Sequence, residues 1–218
     1  MFIPLKDLNP RRTFPVITIL LIAANVLVFL FQVSLPLRAE RAMVLTYALV
    51  PARVPLVLSG HVPFAGGFLP LLTSMFLHAG ILHLAGNMLF LWIFGDNVED
   101  FLGHFRFLFF YLFCGLGAGL AHTITNLSSS LPTLGASGAI SGVMGAYMVL
   151  YPRSQVLTLV FVFPVPIPAV IILGWWFVLQ FLGGLGSVGA QTAGGVAWWA
   201  HIGGFIIGVL LLAVLKRR

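Results

Sequence analysis

Six long apolar stretches divide this chain, and they constrain its fold more than any other feature of the sequence. A helix needs about 20 mainly apolar residues to cross the hydrocarbon core of a bilayer. Only closed hydrogen-bonded structures are stable in lipid, and these stretches are far too long for the strands of a barrel. The sequence therefore predicts an all-α membrane protein with six transmembrane helices, over residues 14–35, 71–94, 105–126, 137–151, 157–182 and 196–215.

Charged residues are scarce, which excludes several classes of protein. They make up 7% of the 218 residues, whereas a soluble domain carries about 25%. The net charge of +6 forms no basic stripe, so nucleic-acid binding is not expected. A single cysteine, Cys114, excludes an internal disulfide and a cysteine-based metal cluster. We expect the lipid bilayer as a partner, and neither a cofactor nor a metal ion.

The distribution of lysine and arginine predicts how the chain is oriented. With six spans both termini share a side, which holds eight basic residues against three on the opposite side, so both termini are expected in the cytoplasm. No small-residue cleavage site follows the first apolar stretch, and nothing before it resembles a transit peptide. We therefore expect a retained first helix and a prokaryotic plasma membrane. The external loop, residues 36–70, is expected to lie in the membrane interface. The eight basic residues are Lys6, Arg11, Arg12, Arg106, Arg153, Lys216, Arg217 and Arg218, and the three are Arg38, Arg41 and Arg53.

The fourth predicted span is too short to cross the bilayer fully. About 15 helical residues cover about 22 Å, against a hydrocarbon core of about 30 Å. The span must then begin below the membrane surface. Non-helical backbone at that depth is tolerated only inside the protein or along a water-filled cavity. The sequence therefore predicts an internal, hydrated site at the start of this helix.

Few polar side chains fall within the predicted spans, and none of them is acidic. An aspartyl protease needs two membrane carboxylates, a zinc protease of the HExxH type needs its glutamate, and proton-coupled transport usually uses a buried acid. No internal repeat supports a transporter. What remains is chemistry based on serine, histidine and amide groups. The polar residues are His78, His83, Asn87, His122, Asn126, Ser137, Ser141, Gln180 and His201.

Ser137 and His201 are the candidate reactive pair. Ser137 lies in the segment GASGAISG, where a helix N-terminus would present free N–H groups to an oxyanion. His201 follows two tryptophans at a similar depth, where a neutral imidazole could accept the serine proton. The alternatives are structural. Gly138 and Gly142 form a GxxxG pair typical of helix packing, and a histidine in a bundle can simply be hydrogen-bonded.

His83 and Asn87 are four residues apart and therefore share one face of a helix. Both side chains can donate hydrogen bonds to an oxyanion. His78 points elsewhere, and we expect it to be a structural residue near the surface. His61 and His104 are expected in solvated loops, and His122 is expected to be structural or to bind water.

These segments resemble the rhomboid family of intramembrane serine proteases. HAGILHLAGNMLFLWIFGDNVED resembles its second span with the HxxxN element, GASGAISGVMGAY its GxSG nucleophile segment, and AHIGGFIIG its last span. The resemblance implies a six-transmembrane-helix rhomboid-like bundle, with residues 1–218 as one domain. It implies that Ser137 is the nucleophile and His201 the general base of a dyad, and that His83, Asn87 and the Ser137 N–H form the oxyanion hole. It further implies cleavage of transmembrane segments near the external face, with substrate entering between the second and fifth helices.

The chain departs from the family pattern at two places. Leu69-Pro70 stands where many members have Trp-Arg in the first loop. Ser141 stands where some members have an aromatic residue that stacks on the histidine, so other packing or water must orient His201. The alternatives left open are a catalytically inactive rhomboid-like protein that binds transmembrane helices, and a channel or transporter.

Overall fold

The computed structural model of the protein describes residues 2–187 and 196–215. The elements are β1 (Phe2–Asp7), α1 (Val16–Ser34), α2 (Leu37–Tyr47), α3 (Arg53–Leu58), α4 (Phe64–Thr73), α5 (Ile81–Leu102), α6 (His104–Thr125), α7 (Ser137–Leu150), β2 (Gln155–Val160), β3 (Phe163–Pro168), α8 (Ala169–Gly186) and α9 (Trp198–Leu215). The three short strands form an antiparallel sheet in the order β1-β2-β3, and a 3-10 turn, Ser74–Phe76, lies between α4 and α5.

Five helices of the described residues are long and apolar enough to cross a membrane, namely α1, α5, α6, α8 and α9. Helix α7 is apolar but has only 14 residues, as the short fourth span predicted. It lies inside the bundle, and every residue from Gly138 to Tyr147 is buried. The N-terminus of α7 is therefore surrounded by other helices.

Helices α7 and α9 touch through their backbones. A Cβ atom added to Gly204 would overlap the carbonyl oxygen of Gly138, and one added to Gly208 would overlap that of Gly142. Only residues without a side chain allow two helices to approach so closely. The two GxxxG pairs therefore do form a packing face, and this contact brings the starts of α7 and α9 together.

The predicted second span, 71–94, is wrong at both ends. Helix α5 begins at Ile81 and ends at Leu102. The apolar residues before it form α4, with Leu69 and Pro70 inside it, and the 3-10 turn. Hydropathy does not separate a short apolar helix and turn from the start of a longer helix, which is why the prediction began too early.

The acidic residues Asp96, Glu99 and Asp100 fall outside the predicted spans, but the structure places them on α5. Glu99 is fully buried. Its carboxylate accepts hydrogen bonds of 2.7–2.8 Å from the backbone N–H groups of Ile17 and Thr18 and from the Thr18 hydroxyl. Those N–H groups belong to the first turn of α1, where no intrahelical acceptor exists and negative charge is favourable.

The predicted fifth span, 157–182, is wrong in its first half. Strands β2 and β3 form a hairpin, and α8 begins only at Ala169. Pro164, Pro166 and Pro168 all lie on β3, which is an edge strand of the sheet. Proline has no N–H and is tolerated at a sheet edge but breaks a helix interior. The fold is therefore mostly helical rather than all-α.

The remaining predicted spans agree with α1, α6, α7 and α9 to within about two residues. The predicted external loop, 36–70, contains α2, α3 and most of α4, and α2 buries none of its residues. Lys216, Arg217 and Arg218, on which the orientation partly rests, lie outside the described residues.

Candidate active site

Ser137 is the first residue of α7, and the segment before it is held in place by backbone hydrogen bonds. Gly135 has φ +124°, a value that strongly favours glycine. Its N–H donates to the carbonyl of Ser74 at 2.9 Å, and Thr133 pairs with Leu49 in both directions. The N–H of Ser137 lies at the helix N-terminus and so has no acceptor within the helix.

Ser137 and His201 are in hydrogen-bond contact. The Oγ atom of Ser137 lies 2.7 Å from Nε2 of His201. His201 is in the first turn of α9, 64 residues further along the chain. The glycine contacts between α7 and α9 therefore bring the two predicted residues together.

Two residues of α8 lie against the His201 ring. Nδ1 of His201 is 2.7 Å from Oε1 of Gln180, and the ring of Trp176 lies 5.8 Å away at an interplanar angle of 36°. An amide oxygen can only accept, so Nδ1 carries the imidazole proton and Nε2 is free to accept from Ser137.

Gln180 was predicted as a polar residue within a span, without a role, and Trp176 was not among the predicted site residues. The two residues are four apart, so they lie on one face of α8. A single amide in an apolar helix, one turn after an aromatic residue, is the signal that would have identified this face.

Ser141 is buried and points back along its own helix. Its hydroxyl donates to the carbonyl oxygen of Ser137 at 2.6 Å, a bond that serine often makes to the residue four positions earlier. The aromatic contact to His201 comes from Trp176 on α8 instead.

His83 and Asn87 lie beside Gly135. A Cβ atom on Gly135 would be 2.9 Å from Nε2 of His83 and 3.6 Å from Nδ2 of Asn87. Nδ1 of His83 accepts from the N–H of Ala79 at 3.4 Å, so a neutral His83 carries its proton on Nε2. Nδ2 of Asn87 is buried and has no hydrogen-bond partner among the described residues. The N–H donors of His83 and Asn87 therefore both lie beside Gly135, which is two residues before Ser137 in the chain.

A small cavity adjoins Ser137. Its volume is about 30 Å³, and Ser74, His122 and Thr133 contribute polar groups to its wall. A cavity of roughly 10–15 Å³ by this measure holds one water molecule. Nε2 of His122 lies 2.9 Å from Oγ1 of Thr133, so His122 is held by a hydrogen bond in the cavity wall. The predicted hydrated site at the start of α7 thus has room for water.

The other histidines differ in part from expectation. His78 is fully buried rather than near the surface, and neither of its ring nitrogens has a partner within the described part of the chain. Its ring faces His83 edge-on at 5.2 Å. His104 contacts the buried carboxylate of Glu99 at 2.6 Å instead of being fully solvated. His61 is exposed, as predicted.

Comparison with known proteins identifies the family to which this chain belongs. Residues 65–218 match the family model described as "Rhomboid domain". The chain therefore belongs to the rhomboid family and is a multi-pass membrane protein. The resemblance drawn from its three sequence segments is confirmed.

Curated relatives come from eukaryotes and bacteria. The chain is 35% identical over 147 residues to "Rhomboid protein 1, mitochondrial" of Saccharomyces cerevisiae, covering 63% of this chain and 39% of that protein. It is 38% identical over 126 residues to "Rhomboid protease GluP" of Bacillus subtilis, covering 57% and 24%. It is 28% identical over 198 residues to the human "Presenilin-associated rhomboid-like protein, mitochondrial", covering 87% and 45%.

The chain thus spans less than half the length of these relatives. Two of the three are named as mitochondrial proteins. The comparisons therefore support a multi-pass membrane protein but do not support the expected prokaryotic plasma membrane.

Proposed function

We propose that this chain is a serine endopeptidase that cleaves transmembrane segments of other membrane proteins inside the bilayer. The observation that carries the proposal is the 2.7 Å contact between Ser137 Oγ and His201 Nε2, in a member of the rhomboid family. One relative is itself named a rhomboid protease. In this proposal Ser137 is the nucleophile and His201 is the general base.

The acylation step uses the tautomer that the hydrogen bonds define. Nε2 of His201 accepts the proton of the Ser137 hydroxyl as Oγ attacks the carbonyl carbon of the scissile peptide bond. The imidazolium then donates that proton to the leaving amine, and the peptide bond breaks to leave an acyl ester on Ser137. No carboxylate takes part. The acids of α5 lie near its far end, with Glu99 16 residues, or about 24 Å of helix, beyond His83.

The oxyanion of the tetrahedral intermediate is stabilised by N–H donors already in place. These are Nδ2 of Asn87, Nε2 of His83 and the backbone N–H of Ser137. The buried, unpartnered amide of Asn87 supports this role, because a buried donor without an acceptor is costly in the resting protein. Donors that need not reorganise during the reaction contribute most to lowering its barrier.

Hydrolysis of the acyl enzyme requires water inside the bundle. The cavity beside Ser137, with the polar groups of Ser74, His122 and Thr133 in its wall, has the volume to store a water molecule. His201 Nε2 accepts a proton from this water as its oxygen attacks the ester. The proton then returns to Ser137 as the carboxylic product leaves.

We also propose that residues 1–218 form one rhomboid domain with six membrane helices, in which the short helix α7 is the fourth span beside α1, α5, α6, α8 and α9. Ser137 is at the N-terminus of α7, and His201 is in the first turn of α9. Both therefore lie at the end of the bundle opposite to the C-terminus of α9. With both termini on the cytoplasmic side, the site faces the external half of the membrane. Substrate helices reach it between α5 and α8, which supply Asn87 and Gln180.

The proposal is tested by labelling the purified protein with a fluorophosphonate, which reacts only with an activated serine. We expect one labelled site in the wild-type protein, and none in Ser137→Ala or His201→Ala. A label on any other serine, or equal labelling of Ser137→Ala, would contradict the assignment. A folded protein that never labels and never cleaves would favour the inactive rhomboid-like alternative.

Asn87→Ala is expected to lower kcat by about 10²–10³-fold, the usual loss when one oxyanion donor is removed. KM should change little, because the donor acts on charge that develops in the transition state. Steady-state cleavage of a model transmembrane substrate measures both constants. Asn25→Ala is the matched control, since its amide is also buried and donates to the carbonyl of Leu21 within α1. Equal kcat for the two variants would contradict the role of Asn87.

A further inference from the structure

No acidic side chain of the described residues contacts His201, yet its ring is held on both sides. Nε2 contacts Ser137 at 2.7 Å, and Nδ1 contacts Oε1 of Gln180 at the same distance. Gln180 is 7% exposed and sits in a helix whose other residues are apolar or glycine. A buried amide in such a helix is costly unless it is hydrogen-bonded, and His201 is the partner that the structure supplies.

The bond to Gln180 decides which nitrogen of His201 is basic. A neutral imidazole carries one proton, and either nitrogen can hold it. With Nδ1–H donating to the amide oxygen, Nε2 keeps its lone pair toward the Ser137 hydroxyl. Without that acceptor, the tautomer protonated on Nε2 becomes accessible, and this tautomer cannot accept the serine proton.

We infer that Gln180 is a positioning residue for the general base, so that Ser137, His201 and Gln180 act as a serine–histidine–amide triad. The inference rests on the proposed protease function. In an acid-containing triad a carboxylate orients the histidine and also stabilises its positive charge. A neutral amide supplies orientation and a dipole but no charge, and it avoids the cost of a buried carboxylate next to lipid.

Trp176, which lies on α8 like Gln180, also contacts the His201 ring. Its ring packs at 5.8 Å from that of His201, one turn of α8 before Gln180. The nucleophile is on α7 and the base is on α9, so α8 is a third helix whose placement determines whether the base is oriented for reaction.

The test compares Gln180→Met, Gln180→Glu and Leu179→Met in cleavage and labelling assays. Met has a similar length and no acceptor oxygen comparable to an amide, so kcat should fall by about 10–100-fold with KM unchanged, the range typical for removing a partner that orients a metal-bound histidine. Glu keeps an acceptor oxygen at the same reach and should restore most of the lost rate. Leu179 is the neighbouring, partly exposed residue of α8, and Leu179→Met should match the wild type.

A spectroscopic readout separates positioning from general stability. The ¹⁵N NMR signals of the His201 ring nitrogens are identified by their loss in His201→Ala. At a pH where His201 is neutral, their chemical shifts should report a proton on Nδ1. In Gln180→Met they should move toward those of the Nε2-protonated form. Repeating the NMR measurement in Ser137→Ala tests the hydrogen bond between His201 and Gln180 in a protein that cannot cleave.

The outcomes are distinguishable. If the wild-type protein is not labelled at Ser137, the proposed function is contradicted. The effect of Gln180 on the His201 tautomer would still be measured by NMR. An active wild type with Gln180→Met within twofold of its kcat, or with an unchanged His201 tautomer, would overturn the role of Gln180. An equal loss of rate in Gln180→Met and Gln180→Glu would do the same.

Discussion

If the proposed function is right, Ser137→Ala abolishes cleavage of a transmembrane substrate, with an expected loss in kcat on the order of 10⁶-fold, as when the nucleophile of a soluble serine protease is removed. Alanine removes the Oγ atom that lies 2.7 Å from His201 and leaves the helix start otherwise intact. His201→Ala should cause a similar loss. The double variant should be no worse than either single one, because the two residues act as a unit. The measurement is product formation from a purified substrate in liposomes.

Ser141→Ala is the matched control for this prediction. Ser141 is one turn further along α7 and buried, and its hydroxyl donates to the carbonyl of Ser137. We expect it to cleave within a few-fold of the wild-type rate and to unfold at a similar temperature. If Ser137→Ala cleaves as the wild type does, or if Ser141→Ala alone is inactive, the nucleophile has been misassigned.

Gly204→Ala is expected to lower both stability and activity severely. A methyl group at this position overlaps the backbone carbonyl of Gly138, and a backbone atom cannot move aside as a flexible side chain can. Overpacking of this kind typically costs about 1–3 kcal/mol. Because the contact sets the distance between α7 and α9, we also expect the Ser137–His201 hydrogen bond to break, with a loss in kcat of at least about 10²-fold.

Gly174→Ala is the control for Gly204→Ala. It makes the same change inside α8, where a Cβ atom meets nothing within 4 Å. Its Tm and rate of cleavage should stay at or slightly above those of the wild type, since alanine favours helix more than glycine does. Gly208→Ala, which overlaps the carbonyl of Gly142, should repeat the loss of Tm. Wild-type Tm and activity in both α9 variants would show that the helices do not pack as described.

The positions of four helices followed from hydropathy because each is a single apolar run between polar ends. The two errors, at the second and fifth spans, share one cause. Apolar residues also occur in the short helix α4 and in the hairpin β2–β3, and composition cannot distinguish these from a spanning helix. The place of the three prolines of β3 on a sheet edge depends on pairing with β2 and on β1 lying at the opposite edge.

The error about acidic residues has a different physical origin. Glu99 is buried on a helix because the first turn of α1 offers it three donors. Those donors come from residues more than 80 positions earlier in the chain. No local pattern around Glu99 indicates these donors. The sequence around Glu99 resembles a solvated loop, but its carboxylate caps the N-terminus of α1.

Residue types and their spacing were sufficient to predict a membrane bundle, the short α7, and the pairing of Ser137 with His201 as a candidate dyad. These features depend on local properties, namely hydropathy, glycine spacing and helix length. The residues that contact Ser137 and His201 depended on packing instead. Gln180 and Trp176 meet His201 because α8 and α9 lie side by side, and Asn87 and His83 reach Gly135 because α5 lies against α7. Hydrogen-bond geometry between helices is set by their three-dimensional arrangement, which is why the orientation of the His201 ring emerged only from the folded molecule.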